Sequence, residues 1–158
     1  MRVNRVKRLL FHLMIFLFIL SACNHQSAET SYYLSLKGAS ETWELLDYEI
    51  MLNSDERKIG DGKLFMAEES EYFTDSFHFS THAVIKGVDQ IIHAGSVSGQ
   101  TDISEQMTGS IVGDNGTPLP LEEISNIYMM VEWWDTAKNE NVQERIELYR
   151  EQDNEETS

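Results

Sequence analysis

Apolar residues recur at every second position along most of this chain, and nowhere after residue 22 does an apolar stripe run at helical period for the length of a helix. That pattern restricts the chain to β-structure, because only an extended strand sends successive side chains to opposite faces. Phe77, Phe79, Thr81, Ala83 and Ile85 alternate with His78, Ser80, His82, Val84 and Lys86. Val142, Glu144, Ile146 and Leu148 alternate with Gln143, Arg145, Glu147 and Tyr149. In residues 124–134, Ile127, Met129, Val131 and Trp133 share one face with Tyr128, Met130 and Trp134 opposite, the texture of a central strand covered on both sides. Leu46, Tyr48, Ile50 and Leu52 form one face of residues 43–52. Trp43 and Leu45 fall out of phase with them, which places a bulge near Leu45-Leu46.

Shorter segments complete the pattern. Residues 32–36 read as a first strand ended by Gly38, and 63–66 as the hairpin partner that follows a turn over 53–62. Residues 67–75 read as an acidic loop or a single helical turn. Residues 91–94 and 96–98 are brief strands around Gly95 and Gly99, 107–112 is a short strand, 113–120 a loop with both prolines, and 121–123 a turn. The expectation is an all-β fold: a single β-sandwich, immunoglobulin-like, of about seven or eight short strands. The paired cysteines that flank a tryptophan in antibody domains are absent, since the chain has one cysteine.

The first 23 residues have a different texture. Arg2, Arg5, Lys7 and Arg8 precede an apolar run over 9–20, broken only by His12, and small residues Ser21 and Ala22 lead to Cys23. This is the layout of a secretory signal peptide, and the run is shorter than the roughly 20 residues needed to cross about 30 Å of hydrocarbon. Leu20-Ser21-Ala22-Cys23 resembles the lipobox of bacterial lipoproteins. The resemblance implies a signal helix (1–22) removed after Ala22 and a diacylglycerol and palmitate anchor on Cys23. The protein would then sit on the extracytoplasmic face of the cell membrane. Two or more acyl chains hold a protein stably where one does so only marginally. Residues 23–31 would be the lipidated cysteine and a polar tether, 32–149 the sandwich, and 150–158 a disordered acidic tail. The closing tryptophan-rich strand and hairpin resemble small β-sandwich lipoproteins of Gram-positive bacteria that carry no assigned activity.

Charge narrows the partners. The full chain carries 12 Lys+Arg against 27 Asp+Glu, and four of the basic residues lie in the signal, which leaves eight against 27, a formal −19. Nucleic acid is excluded as a partner, because phosphate binding needs clustered basic side chains. Anionic headgroups would repel the domain, so membrane attachment falls to the acyl chains on Cys23. With that thiol lipidated, no disulfide forms, and the 118 residues of the sandwich must hold together by their core.

Candidate chemistry is sparse. His78 and His82 have the spacing of a helical zinc motif, but on a strand they lie about 13 Å apart at roughly 3.3 Å per residue, too far to share one ion. His93 would complete a site only if the fold brought it alongside. Gly95-Ser96-Val97-Ser98-Gly99 has Val97 at the centre where a nucleophile elbow needs Ser, and reads as a loop. Glu68, Glu69, Glu71 and Asp75 are candidate calcium ligands in an acidic loop without EF-hand spacing. Asn115-Gly116-Thr117 reads as a turn. Trp43, Trp133 and Trp134 are candidate binding anchors, since neighbours on a strand face opposite ways and an exposed tryptophan is a common contact residue. The expected function is a non-enzymatic interaction module with an unknown protein or wall partner and no cofactor. A calcium-binding module and a cell-wall or peptide hydrolase are the alternatives. A pocket where Ser, His and Asp or three metal ligands converge would overturn the first reading.

Overall fold

The computed structural model describes residues 31–53, 56–113 and 119–151. The lipobox and Cys23, the Asn115 sequon and the tail from residue 152 lie outside them. Ten strands follow in order: β1 (Tyr32–Ala39), β2 (Trp43–Leu52), β3 (Arg57–Gly60), β4 (Lys63–Met66), β5 (Phe73–Ile85), β6 (Val88–Asp102), β7 (Glu105–Met107), β8 (Ser110–Gly113), β9 (Ile124–Asp135) and β10 (Glu140–Arg150). A single 3-10 turn at Leu121–Glu123 precedes β9. Among the described residues no helix is long and apolar enough to cross a membrane.

The strands form two antiparallel sheets, as the alternation requires. The second is β10-β9-β5-β6. In the first, β1 lines one edge of β2, while the other edge is shared: β4 pairs with Trp43 to Leu46 and β3 with Glu49 to Leu52. Beyond them β7 pairs with β4 and β8 with β3. The register is unbroken across the interruption. Leu46 faces Lys63 and Glu49 faces Gly60, and on the outer pair Lys63 faces Met107 and Gly60 faces Ser110. No residue is gained or lost, so β3-β4 and β7-β8 are each one strand bent at a common seam. Counted that way the sandwich has eight strands.

At the seam Asp47, Asp61 and Gly109 adopt left-handed φ of 53°, 58° and 63° on three adjacent strands. Asp61 N–H donates to Gly109 O (2.6 Å), Gly62 N–H to Thr108 Oγ1 (2.9 Å) and Thr108 N–H to Gly62 O (2.9 Å), which satisfies backbone groups the bend takes out of the ladder. Connectivity refines the immunoglobulin-like expectation. There the second and third strands lie in opposite sheets, whereas here β2 runs into β3-β4 within one sheet and the chain first crosses at β5.

The core lies between the sheets. Trp43, Leu45, Tyr48 and Ile50 of β2 face Phe77, Phe79, Ile127, Met129, Val131, Trp133 and Ile146, all buried. The expected bulge is present one residue along. Leu36 faces Tyr48 and Gly38 faces Leu45, so Leu46 and Asp47 together oppose Lys37. The phase change turns Leu45 inward and leaves Leu46 37% exposed, which corrects its assignment to the core face. Gly38 does not end β1. A Cβ there would lie 2.3 Å from Glu147 O and 2.7 Å from Ile146 Cγ2, so its bare backbone is where the first sheet crosses closely over β10. β6 runs unbroken through Gly95 and Gly99, so residues 95–99 are strand rather than loop. The strand β10 also continues to Arg150, one residue into the expected tail.

Candidate functional site

One end of the sandwich carries an acid-walled pocket of about 280 Å³ lined by Glu41, Thr42, Met66, Glu68, Glu69, Tyr72, Trp133, Asp135 and Lys138. Three connections and two strand ends build it. The β1–β2 turn supplies Glu41 and Thr42, and Glu144 on β10 fixes it by accepting from Thr42 N–H (2.9 Å) and Thr42 Oγ1 (2.6 Å). Burial works to raise the Glu144 pKa, but donors from Ser40 and Thr42 outweigh it and hold the carboxyl below its usual range. The loop after β4 starts on the same turn, with Ala67 N–H donating to Thr42 O at 2.9 Å. Its far end is pinned to the β6–β7 connection: Tyr72 N–H donates to Asp102 Oδ1 (3.0 Å), Ile103 N–H to Tyr72 O (2.8 Å) and Ser104 Oγ to Ser70 O (3.1 Å).

Asp135 closes β9 and shapes the third connection. Its Oδ1 accepts from Ala137 N–H (2.9 Å), Lys138 N–H (3.0 Å) and the Tyr72 hydroxyl (3.0 Å). Its Oδ2 faces Lys138 Nζ at 3.4 Å. The Lys138 backbone N–H is the main reason the Asp135 pKa is lowered. Burial, with the Asp135 carboxylate beside it, raises that of Tyr72. Four carboxylates therefore surround a wall of one indole and one phenol, with Lys138 the single cation among the lining residues.

Trp133 and Trp43 are not surface anchors. Trp43 is 0% and Trp133 3% exposed, packed edge-to-face at 5.5 Å and 76°. Trp133 is nonetheless the inner wall of the pocket, and its buried Nε1 has no hydrogen-bond partner. Trp134 is half-buried on the opposite face of β9. Glu68 and Glu69 enter the pocket, while Glu71 and Asp75 are exposed and outside it. Among the described residues no three His, Cys, Asp or Glu side chains converge to hold a metal ion. Glu41, Tyr72, Asp135 and Lys138 were not readable as site residues, although an Asp that ends a strand and caps the next turn is a recognisable local signal.

A second constellation lies on the outer face of the second sheet. Ser80 Oγ is 3.0 Å from His82 Nε2, and His82 Nδ1 is 3.1 and 3.2 Å from the Asp89 carboxylate oxygens. The Tyr128 ring stacks on His82 (4.7 Å, 13°) and donates its hydroxyl to Asp89 Oδ2 at 2.7 Å. The Arg145 guanidinium covers the other side of that ring at 3.5 Å. The Tyr128 hydroxyl, then His82, lower the Asp89 pKa against burial. Ser80 and His82 share one face of β5 by the period of two, and the β5–β6 hairpin folds Asp89 back beside them. Ser80 is 6% exposed beneath its neighbours. His78 stands exposed outside this network, and His93 faces inward with its Nδ1 2.9 Å from the Tyr48 hydroxyl, so the three histidines do not converge. No family model, curated protein or solved structure matches the chain, and the function of its surface rests on the geometry of these two constellations.

Proposed function

We propose that the protein is a lipid-anchored extracytoplasmic interaction module, non-enzymatic, held by acyl chains on Cys23 and meeting its partner at the acid-walled pocket. The supporting observation is the pocket's construction: Trp133, Glu68 and Glu69, far apart in sequence, meet in one concavity whose rims are tied by backbone hydrogen bonds. Rigid rims around an aromatic wall are what a recognition site needs and a solvated acidic loop lacks. The calcium alternative gains nothing from the fold, since Glu71 and Asp75 stand apart from Glu68 and Glu69. A photo-crosslinking p-benzoylphenylalanine at Glu68 should give one discrete adduct on intact cells, and the same group at exposed Gln143 on β10 none. Cys23→Ala should release the protein from the membrane fraction and abolish the adduct. No adduct, or equal adducts at both positions, would remove the interaction reading. Persistence of Cys23→Ala in membranes would remove the lipid anchor.

A hydrolase is the second reading, favoured by the Ser80–His82–Asp89 hydrogen-bond relay, which has the order of a catalytic triad. Against it stand the burial of Ser80 beneath its neighbours and its place on the outer face of a sheet. The expected result with a fluorophosphonate probe is no labelling of the folded protein. Labelling that disappears in Ser80→Ala would install the hydrolase instead.

A further inference from the structure

We propose that Tyr48, His93 and Thr81 form a proton-operated latch between the two sheets: neutral His93 ties edge strand β6 to β2, and its protonation in mildly acidic medium lets β6 peel from β5 beside the seam. The latch lies in the core and acts whatever meets the pocket. His93 points inward from β6 and is 5% exposed. Its Nδ1 lies 2.9 Å from the Tyr48 hydroxyl on β2, a hydrogen bond that crosses from one sheet to the other. The ring also stands edge-on to Phe79 at 5.3 Å and 80°. Opposite it on β5 is Thr81, wholly buried, whose hydroxyl has no hydrogen-bond partner.

Those neighbours suit an uncharged imidazole. Burial pushes the Tyr48 pKa up, so β2 presents a neutral phenol. β5 presents Phe79 and Thr81, neither of which carries charge. The charged group whose field reaches the ring is Asp61 at the seam, and Lys58 Nζ already holds that carboxylate at 2.5 Å. An imidazolium in this slot would be a buried cation without a free counter-ion, which is costly. Burial accordingly lowers the His93 pKa, against the pull of Asp61. Once β6 opens, the ring meets water and binds a proton with the ordinary affinity of histidine, near pH 6.5. Opening is therefore favoured as pH falls below about 6.5, and the gain levels off below the pKa of the closed form. β6 is the element able to respond. Among the described residues it has a neighbour on one side only, β5, and a bulge leaves Ile92 as an extra residue next to His93. The ring can leave its slot without breaking the pairs among β5, β9 and β10.

The test is native-state hydrogen exchange of the full chain in zwitterionic micelles at pH 7.5 and pH 5.0, corrected for the intrinsic effect of pH on exchange, with a parallel titration of the His93 ring resonances. The expected result is a fall of about fivefold or more in protection of the amides from Gln90 to Val97 that pair with β5, and none from Ile127 to Trp133. His93→Gln, which keeps a neutral group able to accept from Tyr48, should abolish the fall. His82→Gln, on the opposite face of the same hairpin, should preserve it. Unchanged protection in β6, an equal fall in His93→Gln, or a loss spread evenly over both sheets would overturn the proposal. Should His93→Gln not fold, the native protein decides. A His93 ring that titrates below about 6.5, with the loss confined to β6, supports the latch, and one that titrates at or above that value removes it.

Discussion

Trp43→Ala is expected to destabilise the domain by about 3–5 kcal/mol, the range for deleting a fully buried large aromatic. For a domain of this size that corresponds to a fall in melting temperature of roughly 10–25 °C. Trp43 is wholly buried and carries two ring contacts, edge-to-face on Trp133 and tilted on Phe77, each at 5.5 Å. Such pairs contribute about 0.5–1.5 kcal/mol beyond the area they bury. Its Nε1 has no hydrogen-bond partner, so part of the residue's value is already lost to desolvation. Trp43→Phe should therefore cost less than half as much as Trp43→Ala, because it removes the orphan donor while keeping a ring in place. Half-buried Trp134→Ala should cost under about 1 kcal/mol. Urea titrations of the three variants, followed by far-ultraviolet circular dichroism, separate the cases. A loss below about 1 kcal/mol for Trp43→Ala would remove Trp43 from the centre of the core.

That core was largely legible, because burial on one face of a strand imposes a period of two that survives any connectivity. β2, β4, β5, β9 and β10 all lie where their alternation places them. The failures share a cause. β3, β7 and β8 are three or four residues long, too short to display a period. The seam that joins them places aspartates at left-handed φ, and the bond that Asp61 N–H makes there goes to Gly109 O on another strand, beyond the reach of a local pattern. Leu46 followed the pattern of its neighbours, yet a bulge shifts phase abruptly, and the site of the slip is set by Gly38 and Lys37 on the adjacent strand. Gly95 and Gly99 looked like interruptions because glycine weakens an isolated strand. Pairing with β5 carries β6 through both.

The site was legible only in its parts. Trp133, Glu68 and Glu69 stood out by residue type, but the pocket draws on positions from Glu41 to Lys138, and no local pattern reports that distance. The distance argument against zinc at His78 and His82 rested on strand geometry, and His82 instead finds Ser80, two residues away on the same face, and Asp89 across a hairpin. Spacing along a strand tells which side chains share a face. Which face becomes concave depends on how loops dock, and here that is set by single residues such as Glu144, Asp102 and Asp135.

Gly60→Ala is expected to destabilise by about 3–5 kcal/mol and to free the outer strands of the first sheet before the rest unfolds. Gly60 has φ of +130°, outside even the left-handed helical well that an L residue can occupy, which alone costs of order 1–3 kcal/mol. A Cβ would also lie 2.1 Å from Gly109 O and 2.7 Å from Ser110 Cα. Those are backbone atoms of the paired strand, unable to yield without breaking the bond from Asp61 N–H to Gly109 O and the Gly60–Ser110 pairing. Overpacking of this kind adds roughly 1–3 kcal/mol. Gly109→Ala is the control: its φ of +63° lies in the left-handed well and nothing stands within 4 Å of the added methyl, so about 1–2 kcal/mol is expected. Hydrogen exchange should show Ser110 to Gly113 losing protection in Gly60→Ala, while Ile127 to Trp133 at the centre of the second sheet keep theirs. Equal losses from the two substitutions would mean that backbone strain alone matters and that the close approach of β3 to β8 does not fix the bend. Uniform loss of protection across both sheets would mean that the seam is part of one cooperative unit rather than a hinge between the short strands.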